Sequence, residues 1–150
     1  STVLANAKIL AETLKNNGFK IYSGGTDTHL MLVDLRPFGV KGNIASDSLS
    51  RANITCNKNG IPFDTEKPMI TSGIRLGSQA ATTRGFGLKE FEKVGELITK
   101  VIKGLAENPE DNSKVEEEVR NEVVSLCSNF PIYKNLNKWF ALYARKAKLL

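Results

Sequence analysis

The sequence predicts an α+β fold, a small antiparallel sheet with helices packed on one face. Two runs of strand-forming residues, 19–23 and 29–36, are joined by the glycine-containing segment 24–28, which suits a hairpin. A continuous apolar stripe at helical spacing runs through residues 89–108. Helical and short strand patterns alternate elsewhere along the chain, which favours a sheet covered by a layer of helices.

The remaining elements follow from apolar spacing and turn residues. Helix-period apolar residues in 1–17, closed by Gly18, predict an entering helix. The others are, in order, a helix at 43–53, strands at 54–57 and 73–77, a helical turn at 78–85 and an amphipathic helix at 109–130.

Length and composition are those of one ordinary globular domain. The chain has 150 residues, of which 41% are hydrophobic and 25% charged. It contains no run of eighteen apolar residues, so we expect no membrane-spanning helix. Its first residues lack the basic region of a signal peptide, and we expect a cytoplasmic protein.

The net charge of +5 belongs to the last seventeen residues. Residues 1–133 contain 16 basic and 16 acidic side chains, whereas 134–150 contain five basic and no acidic ones. A nucleic-acid-binding face would spread over the folded body, so nucleic acid is not an expected partner. The tail forms a basic amphipathic pattern that could rest on a membrane. We favour instead an extension packed on the body or an artificial addition.

Cysteine and histidine usage argues against disulfides and metal. Cys56 and Cys127 lie far apart without metal-ligand spacing, and we expect two free thiols. His29 is the single histidine, so a zinc site is not predicted.

Some charged side chains are expected to be structural or solvated. Asp34 and Arg36 stand at the end of a predicted strand, where we expect them to pair locally. The acidic run 116–122 is expected to form a solvated helix face.

One arginine stands in an unusual setting. Arg75 lies in a predicted strand between Gly73 and Gly77, with Ile74 and Leu76 as immediate neighbours. Because strand side chains alternate, Ile74 and Leu76 would face the core and Arg75 would face away. Flanking glycines often mark close approach of a ligand or another chain, and a guanidinium matches a carboxylate or phosphate with two parallel hydrogen bonds. The pattern predicts an anion-binding arginine, while a structural salt bridge stays open.

Three long motifs resemble the carboxy-terminal region of serine hydroxymethyltransferases. They are SGGTDTHLMLVDLRPFGVKG (23–42), ANITCNKNGIPFD (52–64) and TSGIRLGSQAATTRG (71–85), and FPIY (130–133) is similar to how many bacterial members end. They occur in order and at the expected spacing. The resemblance implies that residues 1–133 form the small carboxy-terminal domain of a fold-type I pyridoxal-phosphate enzyme, with 134–150 beyond the usual end of the family.

The resemblance also implies roles for individual residues. The family interconverts serine and glycine while passing a one-carbon unit to tetrahydrofolate. Its TSGIR arginine binds the amino-acid carboxylate, which here is Arg75, and the second asparagine of its NKN motif helps bind folate, which here is Asn59. From the residues alone, Asn59–Gly60 is more typical of a turn. Arg84 is a candidate accessory residue near the active site, although a role in tying down the helical turn is favoured.

Part of such a site would lie outside this chain. The family's cofactor lysine belongs to a Thr/His/Lys-rich segment that does not occur in this sequence. Pyridoxal phosphate would therefore be held by a large amino-terminal domain, in an enzyme that is a homodimer when intact, and we expect the chain alone to be inactive. The alternative is a free-standing, non-catalytic binding module derived from the same domain.

Overall fold

The described part of the chain contains a four-stranded antiparallel sheet. The computed structural model describes residues 2–23, 30–78 and 85–130. The strands are β1 (Lys20–Ser23), β2 (Leu30–Asp34), β3 (Asn57–Asn59) and β4 (Gly73–Gly77), in the spatial order β1-β2-β4-β3. All three neighbouring pairs are antiparallel. The β1–β2 pairing confirms the predicted hairpin strands, whereas the connection 24–28 lies outside the described residues.

Helices cover one face of this sheet. They are α1 (Thr2–Asn16), α2 (Gly42–Arg51), α3 (Leu88–Glu107) and α4 (Ser113–Ser128), with a 3₁₀ turn at Arg36–Phe38. The helical layer and the small antiparallel sheet confirm the predicted α+β class. Among the described helices, none is both long and apolar enough to cross a membrane.

Alternation along the inner strands explains why the described helices pack against one face. Met31 and Val33 of β2, and Ile74 and Leu76 of β4, are buried in the hydrophobic core. Arg75, between the last two, is exposed on the opposite face. Since successive strand side chains point to opposite faces, the described helices pack on the first set, whereas Arg75 belongs to the second.

The predicted apolar stripe of α3 forms the centre of the helical layer. Its buried residues include Phe91, Val94, Ile98 and Ile102. A Cβ added at Gly95 would lie 2.7 Å from a methyl carbon of Thr13. This glycine therefore allows α1 to pack closely against α3.

A buried carboxylate joins α4 to α2, which corrects the expectation that 116–122 is entirely a solvated face. Glu116 is 5% exposed and accepts hydrogen bonds from Ser48 and, at 2.8 and 2.9 Å, from the Arg51 guanidinium. Asn112 donates to Ser48 and to the Val101 carbonyl of α3. Burial opposes ionisation of Glu116, but the hydrogen bonds from Arg51 and Ser48 lower its pKa. The buried carboxylate is stable here because both of its oxygens accept hydrogen bonds.

Strand β2 ends two residues earlier than the sequence predicts. Asp34 is its last residue, and its carboxylate accepts from the Arg36 backbone N–H and from the Arg36 guanidinium at 2.8–3.1 Å. This confirms the predicted local pair. The same contacts favour the 3₁₀ turn that follows, and Gly39 ends it in the left-handed region at φ 67°.

Strand β3 begins three residues later than the predicted strand 54–57 and ends two residues later, which is a correction. Ile54 is fully buried directly after α2 and forms only an isolated bridge. The ladder with β4 begins at Asn57 and ends at Asn59. Apolar character misled the prediction because Ile54 packs in the core, whereas the pairing segment is a polar edge strand.

The loop 60–72 between β3 and β4 is organised by one carboxylate. Asp64 accepts from the backbone N–H groups of Ile61, Glu66 and Ser72 and from the Ser72 hydroxyl, at 2.8–3.2 Å. Burial alone would raise the pKa of Asp64, but these hydrogen bonds lower it from the usual 3.8 to about 2. The ionised carboxylate therefore fixes both ends of the loop.

Gly73 is tightly enclosed by the protein itself. A Cβ built there would lie 2.8 Å from a methyl carbon of Ile61 and 2.9 Å from the carbonyl oxygens of Asn59 and Val33. These oxygens belong to the flanking strands and cannot move independently. Close packing of the loop and the neighbouring strands is therefore the reason for glycine here.

We predict that Gly73→Ala lowers the free energy of unfolding by about 1–3 kcal/mol, because the methyl group overpacks the sheet. Gly60→Ala is the matched control in the same loop, where the nearest atom to an added Cβ is 3.8 Å away. Its effect should stay within about 0.5 kcal/mol. Equilibrium urea unfolding measures both. Equal effects would contradict the packing explanation.

We predict that Asp64→Asn destabilises the protein by about 1–3 kcal/mol at pH 7. The asparagine NH2 group would replace an accepting oxygen and point its own N–H groups at the N–H and O–H donors of the loop. The lowered pKa means that the stability contributed by Asp64 is fully present above pH 3.8 and is lost as the pH falls through about 2. The difference between the parent and Asp64→Asn should therefore shrink across that window in urea unfolding. Glu117→Gln, at an exposed position, is the control. A pH-independent difference would refute this account.

Candidate functional site

Arg75 projects from the open face of the sheet. Ile74 and Leu76 on either side are 0% and 1% exposed, so the predicted alternation is confirmed. In the ladder Arg75 stands directly opposite Leu32 of β2 and Asn57 of β3. Its cross-strand neighbours are thus one apolar and one amide side chain, and neither is charged.

The guanidinium of Arg75 differs from those of the other described arginines. Arg36 binds Asp34, Arg51 binds Glu116, and Arg120 donates to the Arg51 carbonyl. Within 2–23, 30–78 and 85–130, Arg75 makes no ion pair or side-chain hydrogen bond. No described acid provides the structural salt bridge that the sequence left open. Its five N–H donors are therefore available to an anion.

The electrostatic surroundings of Arg75 favour an anion. Asp34 belongs to the same face of β2, but it is 1% exposed and paired with Arg36, which outweighs burial and lowers its pKa. The Lys20 ammonium of β1 lies 5.0 Å from the centre of the Tyr22 ring. Among the strand residues on this face, the one acid, Asp34, is thus paired, while Lys20 and Arg75 are cationic.

Asn59 is brought to the same face as Arg75. It stands opposite Gly73, two residues from Arg75 along β4, so the two side chains are diagonal neighbours about 7–8 Å apart. Its amide donates to the Gly60 carbonyl at 2.9 Å and is partly exposed. The amide carbonyl oxygen is not used in that bond and can accept from a ligand.

The turn expected at Asn59–Gly60 forms slightly later. Gly60 is not among the glycines with positive φ, and Asn59 is the last residue of β3. The chain reverses at 61–64, where the Asp64 N–H donates to the Ile61 carbonyl at 3.0 Å. The Asn59 side chain is therefore held by a strand and not by a turn.

The two glycines beside Arg75 do not share one explanation. The side chain of Ile61 already contacts the position above Gly73, so a ligand cannot approach there. Gly77 is partly exposed at the other end of β4. The sequence argument for ligand approach at Gly73 was wrong, because the close approach is made by the protein's own loop.

The described residues offer neither a cofactor lysine nor a metal site. Arg84 and the predicted tail 134–150 lie outside the described residues. In the described ranges every lysine is exposed except Lys93, which is partly buried and pairs with Glu122. A lysine that forms a Schiff base is normally desolvated in a pocket, so the described residues do not fit a pyridoxal-phosphate site. The described part also lacks a group of three metal-ligating side chains.

Both cysteines are free thiols, as predicted. Burial raises the pKa of the Cys56 thiol to about 11, and Cys127 is buried in the core. The Cys56 thiol therefore lacks the thiolate character of a reactive cysteine.

Sequence reasoning missed Asp64 as a residue that shapes the site. It stands between Asn59 and Arg75 in the chain and fixes the loop that joins their strands. Its bond to the Glu66 N–H, two residues on, is an Asx-type contact that the acid's place in a proline-containing loop could have suggested.

Comparisons with known proteins show the family to which the chain belongs. A family model described as serine hydroxymethyltransferase matches residues 1–98. The serine hydroxymethyltransferase of Pelagibacter ubique is 88% identical over 135 residues, which is 90% of this chain and 31% of the relative. Those of Marinomonas sp. and Paramagnetospirillum magneticum are 65% and 64% identical over 132 residues, each 88% of this chain and 31% of the relative. The chain spans about a third of the length of these curated relatives, and it belongs to the serine hydroxymethyltransferase family.

Proposed function

We propose that this chain is the small carboxy-terminal domain of a serine hydroxymethyltransferase, residues 1–133, and that Arg75 binds the carboxylate of serine or glycine. The observation that carries the proposal is the exposed guanidinium of Arg75, without a described protein partner, on a face whose one strand acid, Asp34, is already paired. A guanidinium in this state can make two parallel hydrogen bonds to a carboxylate.

The surroundings of Arg75 suit an amino-acid substrate. Leu32 and Tyr22 follow Arg75 across the sheet in the register of β2 and β1, and both are partly buried. Binding the carboxylate at a fixed strand position orients the substrate's reacting carbon relative to other catalytic groups. In this proposal, the chain supplies recognition and orientation.

Asn59 is proposed to contact tetrahydrofolate. Its side-chain amide carries both donors and an acceptor, which suits the polar edge of a pterin ring. The diagonal placement of Asn59 and Arg75 on one face would hold the two co-substrates close to each other. Proximity of this kind is what a one-carbon transfer between them needs.

The cofactor chemistry would come from outside this chain. Pyridoxal phosphate stabilises a carbanion next to the amino group when it is bound. Because the described residues do not fit that cofactor, we assign it to a large amino-terminal domain in a homodimeric enzyme. The chain alone would then be inactive.

In the full-length enzyme, we predict that Arg75→Ala raises the KM for serine on the order of 100-fold, since two charge-assisted hydrogen bonds are lost. Arg75→Lys should recover little, because an ammonium cannot reproduce the planar fork. Steady-state kinetics measures this, with cofactor absorbance unchanged as the sign of an intact enzyme. Arg120→Ala on α4 is the control and should leave the KM for serine within twofold. A near-normal KM in Arg75→Ala would refute the assigned role.

For Asn59→Ala we expect a rise of about tenfold in the KM for tetrahydrofolate and little change in the KM for serine, because one or two neutral hydrogen bonds are removed. Asn57→Ala, in the same strand, is the matched control and should change the KM for folate by less than threefold. The same kinetic assay, with folate varied, measures both. Equal effects of the two substitutions would argue against a specific contact at Asn59.

A further inference from the structure

The loop 60–72 presents an apolar tip to solvent. Phe63 is 99% exposed and Met69 is 77% exposed. Phe63 also has φ 57°, in the left-handed region that bulky side chains rarely adopt. Holding a non-glycine residue there costs on the order of 1–3 kcal/mol, and exposing an aromatic ring gains nothing in return. Such strain persists only where the surrounding structure imposes it, and it often marks a functional surface.

The surrounding structure does impose this conformation. Asp64, the residue after Phe63, is bound by four donors from both ends of the loop. Farther along, an ion pair joins Lys41 to Glu66, and the carbonyls of Ile70 and Thr71 accept from the first N–H groups of α2. The residues on either side of Phe63 are therefore fixed by polar contacts, and its ring is exposed at the tip that they form.

The position of the tip points to what covers it. The loop leaves β3 directly after Asn59 and enters β4 two residues before Arg75, so it borders the proposed substrate face. The chain spans 31% of the length of its relatives, and most of such a polypeptide lies elsewhere. A projecting, preorganised aromatic residue is the kind of anchor that fills an apolar pocket in a protein interface.

We propose that Phe63 docks into an apolar pocket formed by the part of the parent polypeptide outside these 150 residues, which fixes the substrate face of this domain against the remainder of the enzyme. The inference rests on the proposed function, because the pocket would belong to the large amino-terminal part of the enzyme that the proposed function requires. Met69 would lie at the rim of the contact. The pocket would be lined by aliphatic or aromatic side chains, since the loop tip offers a ring without a polar group.

The experiment uses the full-length enzyme with p-benzoylphenylalanine in place of Phe63, which keeps an aromatic ring at the tip. Irradiation should give a cross-link whose peptide, identified by mass spectrometry, comes from the parent sequence outside residues 1–150. The yield should be at least tenfold higher than with the same photo-reactive residue at Glu117, an exposed position on α4. The cross-link should form without folate or serine.

Several outcomes would overturn the proposal. A cross-link confined to peptides within residues 1–150 would mean that this domain itself, in the same or a second copy, covers the tip. A yield that changes only when folate is added would mean that a ligand covers it, and a yield no higher than at Glu117 would mean that nothing does. Because the cross-link needs no turnover, it can succeed or fail independently of the serine KM of Arg75→Ala, which tests the proposed function.

Discussion

The pairing of β4 with β2 on one side and β3 on the other is the constraint on which the rest of the structure depends. It buries Ile74 and Leu76 beneath the helices and, by alternation, places Arg75 on the open face. A slip of one residue would bury the guanidinium and expose both aliphatic side chains. The hydrophobic core and the proposed carboxylate site are therefore fixed by the same backbone hydrogen bonds.

Charged groups in this protein fall into two classes. The carboxylates of Asp34, Asp64 and Glu116 each accept several hydrogen bonds, and hydrogen bonding outweighs burial to lower the pKa of each. Those of Asp64 and Glu116 also join segments that lie apart in the chain. Arg75 has no such partner among the described residues. Among the described arginines, Arg36, Arg51 and Arg120 each bind a protein oxygen, so the solvent-exposed guanidinium of Arg75 stands apart from them. Phe63 is the apolar counterpart, a side chain displayed by the loop that Asp64 organises.

The sequence predicted elements with strong periodicity and missed features that depend on distant partners. The stripe of α3 and the alternation around Arg75 are local patterns, and both were confirmed. The position of β3 was wrong because an edge strand is selected by its partner and not by its own apolar residues. The buried state of Glu116 could not be read from an acidic run, since Ser48 and Arg51 lie far away in the chain. Family resemblance supplied the identity of the proposed anion, which spacing alone left open.

The most direct test of the central claim is a structure of the full-length enzyme with serine bound. We expect two nitrogens of the Arg75 guanidinium to lie about 2.7–3.0 Å from the two carboxylate oxygens of serine. We also expect Arg75 to remain on the open face of the sheet, opposite Leu32 and Asn57. A guanidinium paired with a protein carboxylate while serine is bound elsewhere would contradict the account.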